Sequence, residues 1–231
     1  MNILAIDTST EVAAVSYSTD TWLICEKTVN NKLTHSEKLM PMIDEVLKAS
    51  DADITDVDLF VICIGPGSFT GLRIGIAVVK AMAQALDRPC VCVDTLMGLA
   101  CNFYGYNGII CPMIDARNQN VYNGLYRFEE GRVIEMIPPR HIAMADLALE
   151  IANLSERVLL LGNGVDKYRE FMSSDVKTAP FHMNLQRASA FAFCGYQKFE
   201  AGETTPYSEI LPLYVNISQA EREKSIEERK I

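Results

Sequence analysis

A chain of 231 residues that is 49% hydrophobic is long enough for one large domain or two small ones, and it can bury a substantial core. Its net charge of −9 and sequence pI near 4.9 disfavour a dominant role in gripping RNA or DNA, because nucleic-acid binders commonly carry a basic face; no apolar run reaches the length of a membrane span. Residues 1–7 lack a basic leader, so no signal peptide is expected, and seven cysteines with Cys63, Cys90, Cys92 and Cys111 in apolar runs fit reduced core thiols in a cytoplasmic protein.

Three short strands are predicted first, over residues 3–7, 12–17 and 22–28. They are rich in apolar and β-branched residues, with turns at Thr8-Ser9-Thr10 and Ser18-Thr19-Asp20, and read as an antiparallel meander. A helix over 35–49 follows, entered at Thr34 and Glu37 with capping-box spacing and kinked at Pro41. A strand at 59–64 breaks at Gly65-Pro66-Gly67 and passes directly into a helix over 71–86, which Asp87-Arg88-Pro89 ends. A strand at 90–93 and a helical segment at 96–103 complete the series. A second series then begins: strands at 109–115, 121–127 and 133–137, a helix near 144–153, and a strand at 158–161. A helix near 165–173, a short strand near 176–179 and a helix near 186–201 follow.

The repeated order predicts an α/β, two-lobed actin-like ATPase (ASKHA) fold, each lobe a mixed sheet with flanking helices. Met113-Ile114-Asp115 stands in the second series where Ala5-Ile6-Asp7 stands in the first. The first lobe is expected over 1–105 and the second, smaller one over 106–231, with a last helix that can return to the first lobe. The charged stretch 221–230 reads as a solvated terminus.

The glycine loop imitates several motifs and completes none. A Walker loop needs a lysine that is absent, and Ser68 directly follows Gly67, so the spacing of a serine-hydrolase elbow fails. Gly65-x-Gly67-x-x-x-Gly71 with Asp94 after the next strand approaches a dinucleotide fingerprint. Pro66 lacks an N–H, Phe69 is bulky where a pyrophosphate needs room, and the preceding meander is wrong for a doubly wound sheet. An NAD(P) reading stays open as the lesser alternative. In actin-like ATPases the first hairpin meets the nucleotide phosphates, and here it is Asp7-Thr8-Ser9-Thr10. Its hydroxyls and carboxylate suit phosphate and magnesium, but the usual glycines are missing. An ordinary turn capped by Ser and Thr is preferred, with ATP binding held open. His35, His141 and His182 are too scattered for a metal site, Cys90-x-Cys92 is one residue short of a Cys-x-x-Cys pair, and no nucleophile–His–acid set follows from spacing.

The helices carry a different signal. Over 71–86 the polar positions Arg73, Lys80 and Gln84 share one narrow face, and Leu72, Ile74, Ile76, Val78, Val79, Met82 and Leu86 cover most of the rest. A helix this apolar is covered on more than one side. Gly75 is expected where another helix approaches closely. Leu39, Met40, Ile43, Val46 and Leu47 make a stripe on the 35–49 helix. An exposed patch of this kind marks an interaction site.

Ala5-Ile6-Asp7-Thr8-Ser9-Thr10, His35-Ser36-Glu37 with Leu39 and Pro41, the run Gly65 to Gly75, and Asp115-Ala116-Arg117 with Val121-Tyr122 resemble the TsaB (YeaZ) family over essentially the whole chain. The resemblance implies a non-catalytic scaffold in the synthesis of threonylcarbamoyladenosine on tRNA. It would pair with a TsaD-like catalytic subunit and a TsaE-like ATPase, or with a second copy when alone, and the complex would move threonylcarbamoyl to N6 of the adenosine beside the anticodon. No strong nucleic-acid contact, no membrane and no cofactor of its own are implied, and any ATP site would be weak or at a subunit interface. Asp7, Thr8 and Ser9 would be a vestigial phosphate loop. TsaD-like proteins carry a metal-binding His-x-x-x-His where this chain has Thr95 and Leu99. His35, Leu39, Ile43, Leu72, Ile76 and Val79 are the expected partner interface, and Ile76→Glu is expected to abolish assembly without unfolding the monomer. Asn216 departs from an arginine often found in the family. The competing enzyme readings are a weak ATPase using Asp7 and a peptidase-like activity.

Overall fold

The computed structural model describes residues 1–31 and 34–215. Strands β1 (Asn2–Asp7), β2 (Val12–Thr19) and β3 (Leu23–Asn30) form the first meander, and α1 (His35–Ala49), β4 (Leu59–Cys63), α2 (Phe69–Leu86), β5 (Cys90–Val93) and α3 (Thr95–Ala100) follow. They build a five-stranded sheet of order β3-β2-β1-β4-β5, antiparallel on the meander side and parallel from β1 to β5. The second series is β6 (Ile109–Asp115), β7 (Asn120–Glu129), β8 (Arg132–Ala143), α4 (Met144–Ala152), β9 (Val158–Leu161), α5 (Gly164–Lys167), β10 (Lys177–Thr178) and α6 (Ala188–Glu200). Its sheet has the order β10-β9-β6-β7-β8, the same plan with β10 in the place of β5. The fold is the two-lobed actin-like architecture.

Local chemistry explains where the elements begin. Thr34 and Glu37 form the capping box of α1, with the Thr34 N–H donating to Glu37 Oε2 at 2.9 Å. Ser68 caps α2 by accepting from the Gly71 N–H, so this helix starts two residues before the predicted Gly71. Strand β8 runs through Pro138 and Pro139, well past the expected 137. As the edge of its sheet it needs no N–H on its outer side. The helix expected at 165–173 is only the four-residue α5 and a 3-10 turn, Arg169–Phe171. Tyr168 leaves helical geometry between them and sends its hydroxyl to Asp115 Oδ1 at 2.7 Å.

Both faces of the first sheet are covered. On one, α1 and α2 bury Leu39, Val46, Ile76 and Val79 against Leu4, Ile6, Phe60 and Ile62. On the other, α6 buries Ala188, Phe191 and Cys194 against Ile3, Ala5, Val61 and Val91. The last helix and the strap after it therefore lie on the first lobe. Thr205 bridges Cys90, Ile210 is buried with the α1–α2 core, and the Leu213 N–H donates to Ile64 O at 2.7 Å. Between the sheets sits α3, whose Leu96, Leu99 and Ala100 pack with Ile110, Ile114 and Tyr126 of the second lobe.

By length and composition α2 could cross a membrane, contrary to the expectation that no segment could. Its Leu72, Ile76, Val79 and Ala83 instead lie in the core. Cys63, Cys90 and Cys111 are free and buried, and Cys92 is free and half-buried. Cys101 and Cys194 form a disulfide.

Candidate functional site

The β1–β2 turn, the loop between β4 and α2, and the start of α1 converge on one point. Asp7, Thr8 and Ser9 are fully buried and Thr10 nearly so. The Thr8 hydroxyl donates to Gly71 O at 2.8 Å, the Ser68 N–H to Ser9 O at 2.6 Å, and His35 Nε2 to Thr10 O at 2.7 Å. A Cβ on Gly67, Gly71 or Gly75 would collide with Ser9 O, Thr8 O and Thr8 Oγ1 in turn. The three glycines, four residues apart, let α2 and its entry loop lie directly on the turn. Gly75 thus answers to Thr8 of its own chain, and not to a second helix as its position suggested. From behind, Thr95 holds the loop: its N–H donates to Gly65 O and its hydroxyl to Pro66 O, both at 2.8 Å.

The Asp7 carboxyl is sealed within this turn. Burial pushes the Asp7 carboxyl up, against the pull of the Ser9 N–H at 2.8 Å and the nearby His35. Burial also pushes His35 down. Asp7 Oδ2, Ser9 Oγ and His35 Nδ1 have no hydrogen-bond partner among the described residues. Of the glycines that mimic a dinucleotide loop, Gly67 and Gly71 face Ser9 and Thr8 where a pyrophosphate would sit, and Gly65 faces Leu72 and the Leu213 carbonyl. Asp94, the mimic's ribose acid, caps α3 by accepting from the Met97 N–H at 2.8 Å. Thr95 and Leu99 are fully buried, and no cluster of three or more His, Cys, Asp or Glu able to hold a metal exists among the described residues. His141 lies against the Tyr122 ring, and His182 is on the 3-10 turn Phe181–Met183.

The expected interface residues lie elsewhere than predicted. Leu39, Ile43, Leu72, Ile76 and Val79 are between 0 and 5% exposed within their own lobe, and His35 is half-buried, tied to Thr10. They are core and bracing residues, and a glutamate at 76 would enter the core. Helical spacing had found the apolar arc of α2 but not which third of it meets the sheet. The outer side carries Ala77, Ala81 and Ala85, which are exposed, with Ile74, Val78 and Met82 half-buried beside them at the edge of the core, and Met40 and Pro41 are exposed on α1. The polar face of α2 is covered by the 203–215 strap. Lys80 Nζ donates to Ser208 O and Arg73 Nε to Tyr214 Oη, both at 3.2 Å, and the Arg73 guanidinium lies 3.8 Å from the centre of the Phe69 ring. That strap has neither helical nor strand spacing, and its only signals are Tyr207 and Ile210 between Pro206 and Pro212, with Tyr214 after them.

A cleft of about 1620 Å³ opens between the lobes, lined by Ser9, Thr10, Phe69, Asp115, Arg117 and Tyr214 among others. Asp115, the counterpart of Asp7, accepts from Lys167, the Tyr168 hydroxyl and the Arg117 N–H. Burial opposes its charge, but Lys167 and Tyr168 hold its carboxyl below the usual range. Arg117, Asn118 and Gln119 all take left-handed backbone, φ 65°, 49° and 57°, at the hairpin tip on the cleft. Asn216 lies outside the described residues.

Residues 26–210 match the family model described as TsaD: tRNA N6-adenosine threonylcarbamoyltransferase. The tRNA threonylcarbamoyladenosine biosynthesis protein TsaB of Bacillus subtilis is 32% identical over the full length of both chains. Its Escherichia coli namesake is 28% identical, covering 93% of this chain and 94% of that one. A solved Pseudomonas aeruginosa structure, of a protein described as similar to peptidase YEAZ, superposes with a TM-score of 0.82 at 27% identity, over 93% of this chain and 99% of that one. With the two-lobed fold, the Gly65–Gly75 segment seated on its turn, and these matches, the chain belongs to the TsaB (YeaZ) family of tRNA threonylcarbamoyladenosine biosynthesis proteins.

Proposed function

We propose that this chain is a non-catalytic subunit that assembles with a TsaD-type threonylcarbamoyltransferase and a TsaE-type ATPase in the cytoplasm, and that it pairs with itself when the transferase is missing. The observation that carries the reading is the outer side of α2. Ala77, Ala81 and Ala85 are exposed along it, flanked by Ile74, Val78 and Met82, which are half-buried at the edge of the α1–α2 core and only partly covered by it, and the other sides of the helix are occupied by the sheet and the strap. Small residues along such a strip let a second helix approach closely, and burying it is favourable by about 25 cal/mol per Å². The sealed turn supports the non-catalytic half: Asp7 is fully buried, and the α2 entry loop lies against Thr8 and Ser9 beside it.

The test is co-purification with a TsaD-type partner, with tRNA modification as the second readout. Ala81→Arg on the open strip should lose the partner and the modification activity of the mixture while keeping a native melting curve. A complex that survives this change, or an isolated chain that transfers threonylcarbamoyl unaided, would overturn the reading. The cleft, lined by Ser9 and Thr10 of the same turn, favours one rival, an ATPase that binds nucleotide there and uses Asp7 behind it. Its mark would be ATP turnover by the isolated chain that disappears in Asp7→Ala.

A further inference from the structure

The bonded pair Cys101–Cys194 has no part in the sealed turn or the open helical strip. Cys101 begins the 3-10 turn Cys101–Phe103, directly after α3 and just before the crossing into the second lobe. Cys194 lies within α6 on the first sheet, 93 residues away in sequence. The bond fastens two elements that already meet closely, for a Cβ on Gly98 of α3 would strike the Phe191 ring of α6. Because α3 packs on both lobes, this is the point where the first lobe, its returning helix and the interlobe crossing are held together.

The two cysteines differ in access. A surface cavity of about 220 Å³ is lined by Cys101 together with Asn102, Tyr104, Arg187, Ser189 and Phe193, and Cys194 does not line it. Cys101 is 6% exposed and Cys194 1%. The donors that line the cavity are already engaged, Arg187 and Ser189 with Glu26 and Asn102 Nδ2 with Met183 O and Leu185 O, while the acceptor Asn102 Oδ1 has no partner among the described residues. The remaining buried thiols offer no such approach. Burial pushes Cys90 and Cys111 up to about 12, where the reactive thiolate is scarce at neutral pH.

We propose that Cys101–Cys194 is a reversible redox modification site, opened and closed by exchange with a low-molecular-weight thiol of the glutathione class that enters through the cavity beside Cys101. In opening, the incoming thiolate attacks Cys101 Sγ, the S–S bond breaks, and Cys194 leaves as a thiolate that takes up a proton. A second thiol attacks the mixed disulfide at the small molecule's sulfur and releases Cys101 as a thiol. The protein gains two electrons and two protons, and two small thiols become one small disulfide. Closing is the reverse, with the small disulfide as oxidant. In a thiol-rich compartment such a pair acts as a switch and not as a permanent staple.

The full-length folded chain is equilibrated with glutathione and its disulfide over a range of ratios, quenched in acid, alkylated and mapped by mass spectrometry. The half-buried Cys25 and Cys92 serve as internal references. The linked peptide carrying Cys101 and Cys194 should rise and fall with the ratio. In Cys194→Ser, Cys101 should carry the mixed disulfide, whereas in Cys101→Ser, Cys194 should stay a free thiol. Two free thiols at the most oxidising ratio, or a bond that persists at the most reducing one, would overturn the proposal. Glutathione on Cys194 in place of Cys101 would overturn the route of entry. Should either variant fail to fold, the wild-type titration decides alone.

Discussion

The hydroxyl of Thr8 meets the carbonyl oxygen of Gly71 at 2.8 Å across 63 residues of sequence, and four residues on, Gly75 passes the same side chain with no room for a methyl group. The glycines of this segment are therefore spacing devices for an intrachain contact. Gly75→Ala should destabilise the chain by about 1–3 kcal/mol through overpacking. Thr8→Ala should lose about 1 kcal/mol with the hydrogen bond. The double variant, with Oγ1 removed from the path of the new methyl, should lose less than the two added together. Urea denaturation of all four proteins checks this, and strict additivity would show that residue 75 does not press on Thr8.

Exposed and buried positions of α2 should separate cleanly. Ile76→Glu places an unpaired carboxylate against Ile62 and Phe60, and should cost more than about 3 kcal/mol. Ala81→Arg faces outward and should shift stability by less than about 0.5 kcal/mol. Melting curves of the isolated chain distinguish the two. Equal losses would mean that the outer strip is load-sharing with the core and is not a free docking face.

Much of this fold was legible because periodicity reports burial and turn residues report boundaries. Thr34 with Glu37 marked the entry to α1, and the repeated strand order gave two lobes with matching sheets. The site was harder to read. A glycine that admits a phosphate and a glycine that admits a backbone carbonyl look alike in one dimension, and only the position of Ser9 O against Gly67 separates them. Likewise the apolar arc of α2 was visible, but choosing Ile76 or Ala81 as its outer side requires knowing where the sheet lies. The strap left no such mark, because Arg73 and Lys80 read only as polar positions on one narrow face, yet both donate to residues of the 203–215 segment.

Glu26 on β3 provides a test of how the last helix is held. Its Oε1 accepts from both the N–H and the hydroxyl of Ser189 at 2.8 Å, and its Oε2 accepts from Arg187 at 2.9 Å. It acts as a helix cap supplied from 163 residues away in the chain. Glu26→Ala should destabilise the chain by about 1–2 kcal/mol, more than an ordinary surface ion pair contributes, because it strands the Ser189 N–H and hydroxyl in the first turn of α6 as well as Arg187. Faster amide exchange should be confined to the first turn of α6. An unchanged exchange pattern would mean that water replaces the carboxylate without loss.

Asp94 gives the chain a pH dependence opposite to that of a salt-bridged acid. Burial is the main cause that holds its carboxyl up at about 6, over the opposing hydrogen bonds from the Met97 N–H and from the Tyr126 hydroxyl at 3.1 Å, and Glu135 adds to the rise. The folded chain therefore holds this proton more tightly than the unfolded chain, where the value is near 3.8. The resulting stabilisation is fully present below pH 3.8 and is lost as pH rises through about 6. Asp94→Asn keeps an acceptor for both donors and cannot ionise. It should match the wild type near pH 4 and exceed it above pH 6 by about 1–2 kcal/mol, less than the full shift converts to because Asp94 keeps some solvent contact. The measurement is the difference in unfolding free energy between the two proteins from pH 4 to 8, in which every other titrating group cancels. A difference that stays level across that range would show that the Asp94–Tyr126 contact between the lobes carries no proton-linked energy.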